Sequence, residues 1–404
     1  MTSAIDILAW GVAGAASVPL LVLVLELIAG LRGSADVTPA ARPGATATVL
    51  IPAHDEELGI GATIRALLAE APAGTRVLVV ADNCTDGTAA RAREAGAEVV
   101  ERHDPERRGK GYALAFGRDA LAARGAPEVV LVLDADCRLL PGSIEALAVA
   151  ALATGRPVQA TNLITADLGA PPMVQISGFA MLVKNLYRSR GMQRLGGAAL
   201  LTGTGMAFPW PLFAKASLAT GSIVEDLALG IELTRAGHAP LLLEKAGVRS
   251  APAAMADALQ QRRRWEHGFL SVLRDQALPT LRQGIARGSR AEILLGLHLL
   301  VPPLALTIMA CGVALLLVLV LAVAGATLVP AAILGALLAG AALLLTLAWL
   351  SAGREYLRAG ALLRAPLYVL WKLPIYLGFL RRKEAGWTRT PRREDTVGGR
   401  ISPD

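Results

Sequence analysis

From residue 293 to residue 350 the chain holds no Asp, Glu, Lys or Arg, a run of fifty-eight positions. As one helix that run would be roughly 87 Å long, against a bilayer hydrocarbon core of about 30 Å. One helix has no use for such length, but two crossings joined by a turn do. Residues 324–330 (AGATLVP) read as the turn, and Pro302-Pro303 kinks or starts the first crossing. Ile7 to Leu25 adds nineteen residues without charge. Asp6 flanks it, and no basic stretch precedes it, so it is expected to stay as an anchor rather than be cleaved as a signal peptide. The composition agrees: 54% apolar and 18% charged residues exclude a disordered, collagen-like or disulfide-scaffold chain.

Charge then gives orientation. The net +7 is uneven, since residues 354–404 hold eleven Lys/Arg against five Asp/Glu, leaving +1 for the remainder. Arg32 and Arg42 follow the first span, Arg282, Arg287 and Arg290 precede the second, and Arg354 and Arg358 follow the third. The positive-inside rule therefore predicts a cytoplasmic 33–290 segment, a cytoplasmic tail and an outside N-terminus, in the inner (cytoplasmic) membrane. A fourth crossing through 361–380 would bury Arg364 and Lys372 and export the basic tail, so that stretch, broken by Pro366 and Pro374, is expected to be interfacial or re-entrant. The expected domains are an N-terminal span (4–31), a cytoplasmic domain (44–275), an interfacial connector (276–291), two spans (292–352), and the interfacial helix with its basic tail (353–404). The tail faces membrane lipids, and nucleic acid is not an expected partner.

The cytoplasmic segment alternates. Ala47–Ile51, Arg76–Ala81, Glu98–Val100 and Glu128–Leu133 read as strands; Ala62–Glu70, Thr88–Ala95 and Gly111–Ala123 read as helices. Continuous apolar strands between helices predict an α/β fold with a parallel sheet covered on both faces. Ligands of such sheets bind beyond the strands' carboxyl ends. There stand Pro52-Ala53-His54-Asp55-Glu56, then Asp82-Asn83-Cys84-Thr85-Asp86-Gly87, then Asp134-Ala135-Asp136. In an extended stretch residues 134 and 136 point the same way, so both carboxylates can face one divalent cation. No GxxxxGK[ST] loop occurs, and no GxGxxG follows the first strand, which disfavours a P-loop NTPase and a dinucleotide-binding domain. Bound phosphates would then depend on the metal and on basic side chains such as Lys110, which also reads as one of a solvated charge run. Cys84, Cys137 and Cys311 are far apart without a CxxC pair, and the five histidines show no metal-ligand spacing, so no disulfide framework or zinc site is expected.

TVLIPAHDEE, VLVVADNCTDGTA, RRGKGYAL, VLDADC, LTGTGMAF, IVEDLALGIEL and QRRRW occur in that order. Together they resemble the membrane-bound family 2 glycosyltransferases of GT-A fold, a group with cellulose, chitin and hyaluronan synthases and ceramide glucosyltransferases. Asp55 stands where that family usually has Asn. The resemblance implies a Rossmann-like, mostly parallel GT-A domain between transmembrane helices. It places Asp82 on the nucleotide base, with backbone from Pro52 and Ala53 through His54 to Glu56 completing the pocket. Asp136, helped by Asp134, would hold Mg2+ or Mn2+ on the diphosphate. Asp226, beside Glu225, would be the general base, and Gln261, Arg264 and Trp265 would lie near diphosphate and acceptor. Gly203 and Thr204 would allow close approach near the acceptor. Other readings stand beside these: Glu225 and Asp226 as acids opening a helix, residues 203–205 as a turn, and QRRRW as a membrane-surface patch.

The expected activity is inverting transfer of a sugar from a nucleotide-sugar donor, UDP by resemblance, to a lipid or lipid-linked acceptor. A processive polysaccharide synthase is the second reading. It would need an oligomer or a partner membrane protein for its conduit, because the expected spans lack intramembrane charge. A membrane scaffold with a degenerate site is the third, opposed by the intact acidic motifs.

Overall fold

A computed structural model describes residues 4–34, 36, 45–220, 224–250 and 255–381, with the side chains of 255–261, 380 and 381 outside that description. Two compact units divide the chain. One contains residues 35–165 and 198–268, the other the first 34 residues with 166–197 and 269–383.

The first unit is built on eight strands: β1 (Ala47–Ala53), β2 (Arg76–Asp82), β3 (Glu98–Arg102), β4 (Val129–Val132), β5 (Cys137–Leu139), β6 (Val158–Ile164), β7 (Met206–Pro209) and β8 (Leu241–Ser250). Their order is β3-β2-β1-β4-β7-β6-β8-β5. The strands at the head of this order, β1 to β4, pair in parallel, as the alternation of strands with helices predicts. Alternate side chains enter opposite layers. Val49, Ile51, Val77, Val79 and Leu131 pack with Ile60 and Ile64 of the helix Ile60–Glu70 and Leu147 of Ser143–Thr154. Leu50, Leu78, Val80, Val130 and Val132 pack with Leu114 and Leu121 of Lys110–Arg124 and with Leu229 and Leu233 of Glu225–Arg235. Each fully covered Val or Leu contributes about 1.5–3 kcal/mol.

Beyond β4 the sheet is mixed rather than uniformly parallel. β7 runs antiparallel between β4 and β6, and β5 runs antiparallel to β8. Apolar runs record burial but not direction, so this reversal has no signature in the residue pattern. It matters for the site, because the pairing Val132↔Met206 brings the residues after β4 opposite those before β7.

Among the described residues of the second unit, three helices are long and apolar enough to cross a membrane: Ala4–Gly30, Leu304–Val323 and Val329–Ser351. Pro303 precedes the second, and 324–328 link it to the third, as expected. Arg290–Leu299 is a separate helix ahead of Pro302-Pro303, so the uncharged block begins before the crossing does. Residues 166–197, which the sequence places inside 44–275, group with this unit. There Pro172–Leu182 runs through a π-helical turn, Val183–Arg188, into Ser189–Arg194. Backbones meet closely at this seam: a Cβ on Gly191 would lie 2.0 Å from the Glu26 carbonyl oxygen.

The first span is not free of charge as expected, because its helix continues through Glu26, which is 1% exposed. Arg188 Nε donates to Glu26 Oε2 at 2.6 Å, and His298 Nδ1 lies 2.7 Å from Oε1. Arg188 Nη2 approaches the same His298 nitrogen at 3.3 Å. This buried carboxylate is tolerable only because it is paired. Between 353 and 381 the chain forms Ala359–Leu362, Ala365–Trp371 and Leu373–Arg381 after a single 3-10 turn. The longest has nine residues, about 14 Å of helix and well under the ~30 Å of a crossing. Residues 382–404, with most of the expected basic tail, lie outside the described residues.

Candidate active site

The carboxyl ends of β1, β2 and β4 deliver two groups of side chains to one edge of the sheet. The first forms where β4 meets the segment before β7. Antiparallel register sets position 134 opposite 204, and Asp134 N donates to Thr204 Oγ1 at 3.1 Å. Thr204 is buried. Its segment is held from β6, where Gln159 Nε2 donates to the Thr204 carbonyl at 2.9 Å and Gln159 Oε1 accepts from Thr202 N at 2.9 Å. Asn162 Nδ2 donates to Thr202 Oγ1 at 3.2 Å. Gly203 adopts φ +82°, a left-handed conformation that disfavours any Cβ.

Lys110 opens the helix Lys110–Arg124, and its ammonium donates to Asp134 Oδ1 and, at 2.6 Å, to the Gly203 carbonyl. Burial alone would lower its pKa. The carboxylates of Asp134, Glu225 and Asp226 outweigh burial and hold it above the usual lysine range. Glu225 and Asp226 begin the helix Glu225–Arg235. A Cβ on Gly203 would sit 3.2 Å from both Asp226 Oδ2 and Lys110 Nζ, so glycine lets both groups come close to this backbone. Burial, reinforced by Asp226 and opposed by Lys110, pushes Glu225 up to about 8.

Asp134, Asp136 and Cys137 each offer a ligand atom within 4.8 Å of the others. Two carboxylates suit a hard divalent cation. Cys137 sulfur is a soft ligand and does not belong to a hard-cation set, while burial raises its thiol above the ordinary pKa. The residues present thus fit Mg2+ or Mn2+ through Asp134 and Asp136.

The second group lies at the ends of β1 and β2, adjacent through the pair Ala53↔Ala81. His54 Nδ1 is 2.7 Å from the Asp82 carbonyl oxygen. Glu56 is buried, and its N–H donates to Thr88 Oγ1 at 2.7 Å. Asp82, expected at the nucleotide base, is 6% exposed and paired: β3 register sets Arg102 beside it, and Arg102 Nη1 donates to Asp82 Oδ1 at 2.6 Å. Arg102 Nη2 reaches Asp104 at 2.9 Å, and its guanidinium lies 5.7 Å from the Tyr112 ring centroid. Pro52 and Ala53 close β1, with Cys84 Sγ 3.5 Å from the Ala53 carbonyl oxygen.

The QRRRW residues lie within the helix Met255–Val272, which also carries Gly268, where a Cβ would lie 2.5 Å from Val224 Cγ1. This contact brings the helix against the residue preceding Glu225. Positions 264 and 261 lie one and two turns back on the face of Gly268. Arg264 is half-buried and Trp265 is 41% exposed, while the side chain of Gln261 lies outside the described residues. Sequence reasoning missed Arg102, Gln159 and Asn162. The first reads as a surface strand end, and the others as ordinary polar positions in a strand.

Residues 43–268, more than half of the chain, match the model of the family described as glycosyltransferase like family 2. The chain belongs to that family. It is a glycosyltransferase whose α/β domain has a GT-A-like sheet. The glycosyltransferase is 38% identical over 118 residues to an uncharacterized glycosyltransferase of Mycobacterium tuberculosis, covering 28% of this chain and 49% of that one. It is 40% identical over 103 residues to a glucosyl-3-phosphoglycerate synthase of Mycolicibacterium paratuberculosis, covering 24% and 30%. The chain therefore spans about half the length, or less, of the curated relatives it matches. Its fold is similar to that of the mannosyltransferase PcManGT from Pyrobaculum calidifontis, in complex with GDP-Man and Mn2+. That likeness has a TM-score of 0.54 and 20% identity, and covers 91% of this chain and 99% of that one.

Proposed function

We propose that the glycosyltransferase moves one sugar, with inversion, from a nucleoside-diphosphate donor of the UDP type to a lipid or lipid-linked acceptor at the cytoplasmic membrane face. The observation that carries this reading is the convergence of Asp134, Lys110, Gly203, Glu225 and Asp226 at one sheet edge. Three apolar helices in the same chain support a membrane acceptor, and their arginine-rich flanks support a cytoplasmic catalytic unit.

The carboxylate pair divides its labour by environment, as paired acids do when their surroundings separate their proton affinities. Glu225 keeps its proton at neutral pH and serves as a neutral donor. Asp226 accepts the proton of the acceptor hydroxyl while that oxygen attacks the anomeric carbon. The bond from that carbon to the diphosphate oxygen breaks, and the nucleoside diphosphate leaves. Lys110, positive and fixed, offsets charge at the diphosphate end. Asp134 and Asp136 would hold Mg2+ or Mn2+, which when bound would supply further charge neutralisation of the leaving group.

The test is a screen of nucleotide sugars on membranes from overexpressing cells, with labelled product followed into organic solvent. An extractable product that disappears in Asp226→Asn, while Mn2+-dependent nucleotide binding persists, is the expected result. An active Asp226→Asn would remove Asp226 as the base, and a high-mass polymer would replace single transfer with processive synthesis.

A further inference from the structure

We propose that His54, Asp55 and Cys84 form a site for a thiophilic divalent cation of the Zn2+ class, distinct from the Asp134–Asp136 pair, whose filling blocks the donor. Neither the cysteine nor the histidine spacing reveals this, because residues 54 and 84 meet only through the parallel pairing of β1 and β2.

One ligand atom from each of the three side chains lies within 4.8 Å of the others, and all three are half-buried. The imidazole is already oriented. A carbonyl oxygen only accepts, so the 2.7 Å contact of His54 Nδ1 with the Asp82 carbonyl places the ring proton on Nδ1 and the lone pair on Nε2. A second-ring N–H held by a backbone carbonyl is the arrangement that sets a metal-binding histidine. His54 Nε2 in turn lies 3.7 Å from Asp55 Oδ2. Asp55 is kept in place at the expense of its backbone: with φ +52° it is one of only two non-glycine residues at positive φ among the described residues, the other being Asn83 at +53° beside Cys84. Such a conformation costs of order 1–3 kcal/mol and persists where surrounding contacts impose it. Here Thr85 N donates to Asp55 Oδ1 at 2.7 Å, and Asp55 N lies 3.5 Å from Cys84 Sγ. The turn therefore holds carboxylate, imidazole and sulfur close enough together to share one cation.

The donor set decides the metal. Imidazole, carboxylate and thiolate suit Zn2+, with bonds of about 2.0–2.3 Å, whereas Mg2+ and Mn2+ prefer oxygen ligands like Asp134 and Asp136. Three protein ligands leave a fourth tetrahedral position for water. On binding, the Cys84 S–H bond gives way to an S–Zn bond and the proton passes to solvent. Without metal the thiol stays neutral, since burial pushes it up to about 11, which argues against a reactive nucleophile. The blocking effect rests on the reading that the donor nucleoside occupies the β1–β2 edge; the metal site itself does not.

The experiment uses the full-length protein in detergent with Mg2+ saturating, titrated with Co2+ as a spectroscopic substitute for Zn2+. One equivalent of Co2+ giving a near-ultraviolet thiolate charge-transfer band, displaced by Zn2+, is expected. The band should vanish in Cys84→Ser and His54→Gln and survive in Cys137→Ser. Thermal melting of each variant confirms that it is folded. Zn2+ should raise the donor KM with kcat unchanged, and Cys84→Ser should need at least tenfold more Zn2+ for the same effect. A band that persists in Cys84→Ser, or is lost in Cys137→Ser, overturns the proposal and moves the soft metal to Asp134–Asp136–Cys137. Absence of any band also overturns it. A protein that shows the band but turns over no donor overturns the functional reading instead, leaving the site intact.

Discussion

Glu225 carries a proton where an exposed glutamate would not, and stability should record this. Its folded pKa is about 8 against an ordinary 4.5. Below pH 4.5 both folded and unfolded chains hold the proton, so the group contributes no pH-dependent penalty. Between 4.5 and 8 the unfolded chain releases it and the folded chain does not. Stability therefore falls as pH rises through that window, by up to about 1.4 kcal/mol per pH unit. Glu225→Gln, fixed in the neutral form, should melt near the parent at pH 4.5 and progressively above it toward pH 8; parallel melting profiles would refute the assignment. Residues of this kind were largely legible. Asp134, Asp136 and Lys110 bracket apolar strands or open helices, positions where a carboxylate or ammonium has few purely structural tasks. The Asp82–Arg102 pair was not legible, because it depends on the register of two strands rather than on any local spacing.

The segment 202–205 shows what a neighbouring element contributes. Gln159, buried in β6, spans it by accepting from Thr202 and donating to Thr204, and Thr204 in turn receives the Asp134 N–H. Replacing Gln159 with leucine leaves the buried Thr204 carbonyl without this donor, at about 1–3 kcal/mol, and the part-buried Thr202 N–H without its acceptor. Gln159→Leu should melt several degrees lower and lose at least tenfold in kcat/KM although it touches neither substrate; unchanged kinetics would show that the segment holds its shape unaided. The sequence contained the strand but not this use of it, since one glutamine in VQATNLI reads as ordinary alternation. The reversal at β7 was equally hidden. Helix and strand limits in the first half, by contrast, fell within two residues of expectation, because apolar runs there end at glycines and acids.

For the molecule as a membrane protein, charge asymmetry makes the testable statement. With Cys84 replaced by serine, Ala324→Cys in the turn between the second and third spans should react with a membrane-impermeant maleimide on intact cells. Glu94→Cys in the catalytic unit should react only after permeabilisation. The reverse pattern would invert the topology and with it the cytoplasmic donor. The three long apolar helices were readable because an uncharged run of such length has a simple signature in composition. The grouping of 166–197 with them was not, since that stretch reads as part of an α/β domain until its partners are known.

The Glu26 contact sets an order on biogenesis. Translation delivers the first helix with its carboxylate 162 residues ahead of Arg188 and 272 ahead of His298. Until Arg188 arrives, the end of that helix has an acid without the cation that balances it. A chain stopped short of residue 188 therefore leaves that carboxylate without its guanidinium partner, and one stopped short of residue 298 leaves it without its imidazole contact.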